Sequence, residues 1–137
     1  MNTIIDNFKS VYSILNATNV ELIEDIYEED IVFIDPFHEI RGLNELSSYF
    51  SDLYKNVDSC QFSFKEVYAG NSSAMVTWNM ALRHPALSKA TIEVPGTTEI
   101  RFRDKIFFHH DYFDAGKMIY ENIPVVGSIV KYIKKRV

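Results

Sequence analysis

The sequence predicts an α+β domain: a curved antiparallel sheet, shaped as a cone or half-barrel, closed by N-terminal helices around an apolar pocket and followed by a C-terminal helical tail. Three observations predict it. Apolar residues recur mainly at helical spacing up to residue 57, then at a spacing of two from residue 60 onward. Helices first and strands afterwards is the α+β order, distinct from the alternation that builds a parallel sheet. The later strands are apolar on both faces, which demands cover on both, and a bent sheet closed by the first helices supplies it.

Each element has its own signal. Thr3 followed by Asp6 resembles a capping pair, and Ile4, Phe8, Val11, Tyr12 and Leu15 line one face of a helix over 3–17. Asn19 caps a short second helix with Val20, Ile23, Ile26 and Tyr27 on its inner face. Ile31, Val32, Phe33 and Ile34 form a β-branched and aromatic strand, stopped at Pro36. Gly42 ends an irregular piece, and the stripe Leu43, Leu46, Phe50, Leu53 and Val57 predicts a third helix. Phe62, Phe64 and Tyr68 then share one strand face, and residues 70–73 (Gly-Asn-Ser-Ser) supply a turn. Residues 74–83 place Val76, Trp78, Met80 and Leu82 on one face; His84-Pro85 breaks that strand, and Pro95-Gly96 marks another turn or bulge. Residues 97–103 and 105–114 read as a closing hairpin.

Beyond Asp114 the pattern changes. Met118, Ile119, Ile123, Val126, Ile129, Val130 and Ile133 are apolar, while Lys131, Lys134, Lys135 and Arg136 crowd the end. Pro124 and Gly127 are expected to divide this stretch into two short helical pieces. The expected organisation is a pocket domain over 1–115 with a basic amphipathic extension of the same domain over 116–137. Packing on the body or on a partner subunit would bury Ile119, Ile123 and Ile129, and is the first reading of the tail. Docking on a membrane surface is the second.

Composition narrows the function classes. A chain of 137 residues has the size of one domain. Its net charge of −5, with no basic stripe on the body, argues against nucleic acid as a main partner. Cys60 is the only cysteine, so no internal disulfide and no multi-cysteine metal site can form, and its place at a strand start reads as a structural thiol. His38, His84, His109 and His110 lack helical metal-ligand spacing, and the adjacent pair points to opposite faces of a strand, so no metal is expected. No cofactor is implied. The N-terminus shows neither a basic region nor a long apolar run, so a cytoplasmic protein is expected. Ten Phe, eight Tyr and one Trp suit a core or a ligand pocket equally.

Asp35 is the first candidate for chemistry. A carboxylate at an aromatic-lined strand end is desolvated, which suits a base; the competing reading is that Asp35-Pro36 begins a turn and the carboxylate caps local amides. Asp111 shares strand parity with His109 and Phe113, so a pocket-facing Asp111 brings His109 with it, and the pair could move a proton. Phe33, Phe62, Trp78, Met80, Ile100 and Phe113 are the expected apolar wall.

Three pieces together resemble the SnoaL-like / nuclear transport factor 2-like superfamily: the two-helix opening, the motif Phe33-Ile34-Asp35-Pro36 followed by Gly42 and a helix, and the run His109-His110-Asp111-Tyr112-Phe113-Asp114. The resemblance covers residues 3–114. It implies a cone around a pocket, a small apolar ligand, and a homodimer formed through the outer face of the sheet. Relatives include ketosteroid isomerases, limonene-epoxide hydrolase, polyketide cyclases and scytalone dehydratase, so it implies a fold more firmly than a reaction. Asp35 falls where the isomerases carry their base. Their oxyanion-hole tyrosine aligns with Val11, next to Tyr12, and their second oxyanion acid falls at Thr98 or Ile100, neither acidic. The Asp-Tyr-Phe-Asp run places Asp111 on a catalytic carboxylate of the epoxide hydrolase, whose Arg and second Asp fall at Trp78 and Met80, and whose water-positioning Asn falls at Asp35. The expected protein therefore binds a small apolar molecule. If it is an enzyme, it transfers a proton within one substrate, by isomerisation, dehydration or cyclisation, with Asp35 abstracting the proton and His109 or Tyr12 serving the oxygen. The alternative is a non-catalytic ligand-binding or assembly module, or a membrane-surface accessory protein acting through the tail.

Overall fold

The first helical stripe is realised as α1 (Thr3–Ile14) in a computed structural model that describes residues 3–87, 89–119 and 124–137. The second helix is a 3-10 stretch, Val20–Asp25, and Tyr27 leaves it to open β1 (Tyr27–Ile34). Asn19 does not cap this stretch with its side chain. Its amide is spent on the end of α1, accepting from the Asn16 amide at 2.7 Å and donating to the Ile14 carbonyl at 2.8 Å.

The irregular piece before Gly42 is a short strand, β2 (Glu39–Arg41), paired with β1. Gly42 then turns the chain into α2 (Leu43–Asn56) with φ of 92°, a left-handed conformation that glycine adopts without strain. Four strands follow: β3 (Ser59–Ala69), β4 (Ser73–Arg83), β5 (Ile92–Phe102) and β6 (Ile106–Phe113). The six strands form one curved, unclosed sheet in the order β2-β1-β6-β5-β4-β3.

One junction corrects the expected antiparallel arrangement. β1 runs parallel to β6, with Phe33 opposite His109 and Ile34 opposite His110, so the sheet is mixed. After α2 the chain starts β3 at the far edge, and three reversals bring β6 back alongside β1 in the same direction.

Two local irregularities shift side chains. In β3 the register slips by one residue between Phe64 and Val67, a bulge sealed by the Thr77 hydroxyl accepting from the Glu66 amide. The slip turns Val67 inward and leaves Tyr68, expected beside Phe62 and Phe64, 64% exposed. Pro95-Gly96 is not a turn but lies within β5, where Gly96 pairs with Trp78 of β4. A Cβ built on Gly96 would collide with the Trp78 indole, lying 2.7 Å from its Cζ3 and 2.8 Å from its Cζ2. The missing side chain gives Trp78 its place.

α1 and α2 pack on the sheet around a large core that includes Phe8, Tyr12, Ile23, Ile31, Leu46 and Phe50. A second cluster holds Trp78, Met80, Leu82, Ile92 and Val94. Full burial of one such side chain contributes roughly 1.5–3 kcal/mol.

The tail forms α3 (Ala115–Met118) and α4 (Pro124–Lys135). Pro124 opens α4 at the first helical position, where its missing N–H costs nothing, and Gly127 lies inside the helix, buried. Ile119 is half-buried, but Ile129 is 55% exposed, contrary to the expectation that the body covers it; Tyr132 and Ile133 are exposed too. The reason is the helix's orientation: Gly127 is buried, while Lys134 reaches Asp114 at 3.7 Å. Ile123 and the side chain of Val126 lie outside the described residues. Among the described residues no helix is long and apolar enough to cross a membrane.

Gly96→Ala tests the β4–β5 contact. The added methyl displaces the Trp78 ring, so the urea midpoint is expected to fall by the equivalent of about 1–3 kcal/mol, as for other overpacked sites. An unchanged midpoint with unchanged Trp78 emission would show that the ring is not confined there.

Candidate functional site

A cavity of about 300 Å³ lies between the two helices and the concave face of the sheet, and its wall is predominantly apolar. Of the residues expected to form it, Phe33, Phe62, Trp78, Met80 and Phe113 are on the wall, as are Asp35, Asp111 and Tyr12. Ile100 is not: it is fully buried in the core. Its register explains this, since Thr98 lies opposite Asp111 while Ile100 lies two residues further along, opposite His109. His109 is also off the wall, only 1% exposed and stacked 4.5 Å from the Phe33 ring.

The strand parity of His109 and Asp111 does bring the two side chains together, with Nε2 2.7 Å from Asp111 Oδ1. They belong to a longer chain of hydrogen bonds. The Trp78 indole N–H donates to Thr98 Oγ1 at 2.8 Å, and the Thr98 hydroxyl donates to the same Asp111 oxygen at 2.6 Å. On the other side, His109 Nδ1 meets the Tyr27 hydroxyl at 2.8 Å, which meets the Tyr12 hydroxyl at 2.7 Å. An indole N–H can only donate and an ionised carboxylate can only accept. With the imidazole proton on Nε2, Nδ1 accepts from Tyr27, and Tyr27 accepts from Tyr12. Every donor along the chain then points toward Asp111. Asp111 Oδ2 has no partner among the described residues, and the side chain is 15% exposed.

Asp35 is held differently. Its Oδ1 accepts from the Phe37 and His38 amides, both at 2.8 Å, with His38 Nδ1 at 3.6 Å. Its Oδ2 accepts from the Tyr49 hydroxyl at 2.5 Å, and its side chain is 7% exposed. It therefore closes the turn after β1, as the capping reading expects, and it also faces the cavity.

Sequence reasoning gave Tyr27 and Thr98 no role of their own in the site and passed over Tyr49 and Tyr54. Tyr49 and Tyr54, from α2, are on the cavity wall. A signal was present, since Tyr49 flanks the apolar stripe three residues after Leu46. Among the described residues, no group of three or more His, Cys, Asp or Glu is placed to hold a metal ion.

Burial dominates the acid–base behaviour of the wall. It pushes the Cys60 thiol from its ordinary 9.0 up to about 12, with the negative charge of Asp111 adding to the shift. Burial also holds Tyr12, Tyr49 and Tyr54 above the ordinary phenol range, again with a contribution from Asp111. These groups stay neutral in the folded protein but ionise in the unfolded chain. The stabilisation from Cys60 is therefore complete below about pH 9 and is lost as pH rises toward 12, and that from the tyrosines begins to be lost above their ordinary 10.0. Urea midpoints should hold from pH 7 to 9 and decline above it, and Cys60→Ala should lessen the decline. A flat profile to pH 11 would mean that the thiol is not desolvated.

The SnoaL-like domain family matches residues 8–110 of the chain. No curated protein sequence matches it. Among solved structures, a protein of ketosteroid isomerase-like fold from Catenulispora acidiphila, in complex with trimethylamine, is 13% identical with a TM-score of 0.76, covering 89% of this chain and 92% of that one. An LEH-like epoxide hydrolase of M. tuberculosis is 16% identical with a TM-score of 0.73, covering 93% and 94%. A candidate SnoaL-like polyketide cyclase of Shewanella putrefaciens is 16% identical with a TM-score of 0.72, covering 86% and 94%. At these identities the likeness establishes the fold.

Proposed function

The chain belongs to the SnoaL-like domain family, and we propose that its cavity binds a small, mostly apolar molecule from which Asp111 accepts a proton, without a cofactor. The observation that carries this reading is the division of labour within one carboxylate. Asp111 Oδ1 is fixed by His109 and Thr98, while Oδ2 has no partner among the described residues and the side chain lines the cavity. A base held in one orientation inside an apolar wall is what proton abstraction from a bound molecule requires.

The other roles follow from position. His109 lies off the wall, so it orients Asp111 and does not touch the ligand. Tyr12 and Tyr49 are neutral phenols on the wall whose hydroxyls are engaged with Tyr27 and Asp35, so they shape the polar side of the cavity. Asp35, whose three hydrogen bonds occupy both oxygens, is assigned to shaping the mouth and seating Tyr49. The reactions of this kind are isomerisation, dehydration and cyclisation. The three hydrogen bonds that tie Asp35 into the turn and to α2 favour one other reading, a binding module without turnover.

Solvent-deuterium exchange at the α-carbon of cyclic ketones sized to the cavity, followed by proton NMR, separates the two. The protein is expected to accelerate exchange, and Asp111→Asn to slow it by roughly 10²–10⁴-fold. Asp35→Asn should retain most of the rate, whereas Asp35→Ala should cost stability, about 1–3 kcal/mol for the amides it abandons. Exchange that survives in Asp111→Asn would remove it as the base, and binding without exchange across the ketones would favour the non-catalytic module.

The assembly we infer is a cytoplasmic homodimer through the outer face of the sheet, where Tyr112 is exposed and stacks 3.9 Å from His110. Light scattering at micromolar concentration should give twice the chain mass. A monomer mass throughout that range would count against it.

A further inference from the structure

We infer that the ligand of this cavity carries a positively charged nitrogen, a substituted ammonium group seated among the aromatic rings beside Asp111. The inference rests on the proposed reading only in requiring that a small molecule occupies the cavity.

Charge is the first argument. Two carboxylates, Asp35 and Asp111, face the cavity, and its wall holds one imidazole, His84, but no lysine or arginine. Among the described residues neither carboxylate has a lysine or arginine partner; each has only an imidazole, His38 at 3.6 Å and His109 at 2.7 Å. The His109 contact satisfies Oδ1 of Asp111 and leaves Oδ2 unmatched. Burial holds Tyr12, Tyr49, Tyr54 and Cys60 in their neutral forms, and the charge of Asp111 adds to each shift. A desolvated carboxylate without a counter-charge is unfavourable, and a cationic ligand removes that cost on arrival. A carboxylate or phosphate ligand would add to it.

The wall supplies the second, independent argument. Phe62 meets Trp78 edge to face at 5.1 Å, and Phe113 is tilted against Trp78 at 6.2 Å. Phe50 stands edge-on to Tyr54 at 6.0 Å. Rings set at steep angles to one another around a cavity present faces as well as edges to its contents. An aromatic face attracts a cation through its quadrupole, and an ammonium loses little on leaving water when several rings and a carboxylate replace its hydration. An aromatic wall alone would suit any apolar guest; the open oxygen of Asp111 selects the charged one.

The probes are phenyltrimethylammonium, its uncharged carbon isostere tert-butylbenzene, and benzoate. Each is titrated into the full-length protein, read by calorimetry and by the emission of Trp78, the only tryptophan and a wall residue. The cation is expected to bind at least tenfold more tightly than the isostere, with benzoate weaker than both. Asp111→Asn should erase most of the difference between cation and isostere. An isostere that binds as tightly as the cation, or benzoate that binds more tightly, overturns the charge inference and leaves the small-molecule pocket standing. Failure of both cation and isostere to bind overturns the pocket reading as well. The comparison in the unsubstituted protein decides the matter even if Asp111→Asn does not fold, and Asp35→Asn provides a second variant, expected to reduce the preference by a smaller factor.

Discussion

Five elements converge on the carboxylate of Asp111. β6 carries it, β5 reaches it through Thr98, and β4 reaches Thr98 through Trp78. On the other flank, His109 connects it to Tyr27 of β1, and Tyr27 connects to Tyr12 of α1. Because all of these groups are buried or nearly so, none can exchange its partner for water cheaply. The angle of α1 on the sheet, the tilt of the Trp78 indole and the imidazole orientation of His109 are thus linked through one anion. Trp78 occupies its side of this arrangement only because Gly96 has no Cβ, so a backbone vacancy in β5 and a charge in β6 act on the same ring. Deleting an end of the chain strands a buried donor or acceptor; replacing the whole set by apolar residues would not. The polar chain therefore specifies geometry more than it adds stability.

Period-two alternation made the sheet and the Asp111–His109 pairing legible, because strand parity is a local property. Features set by contacts remote in sequence were not. Pro95-Gly96 has the composition of a turn, and the reason for its glycine is an indole on the neighbouring strand. Tyr27 sits where a 3-10 stretch gives way to a strand, so a helical reading extended one element too far and hid the residue that polarises His109. The bulge after Phe64 adds one residue, which reverses the faces of everything beyond it and exposes Tyr68. Ile100 has the parity of a wall residue but lies too far along β5, and parity carries no information about depth. The outward turn of the α4 apolar arc has the same origin: periodicity shows that an arc exists and not which way it faces.

The two wall carboxylates show how identical groups diverge by environment. Asp35 stands where the family resemblance places a base, at a strand end before a proline, and that same location exposes it to the amides of the turn it begins. Two backbone donors share one of its oxygens and the Tyr49 hydroxyl takes the other, so most of its hydrogen-bonding capacity is committed to the turn and to α2. Asp111 lies mid-ladder on β6, where backbone amides are committed to neighbouring strands and only side chains can reach it. Two do, and both choose the same oxygen. The consequence is an anion anchored on one side and open on the other, inside a wall that offers rings but no lysine or arginine. Such a group can be completed in two ways, by a proton taken from the ligand or by a positive charge brought with it. A ligand that carries its ammonium group next to an acidic C–H would provide both, since the positive nitrogen stabilises the carbanion that forms when Oδ2 takes the proton. The recognition proposed for the cavity and the chemistry proposed for Asp111 are in that case two uses of a single unmatched charge.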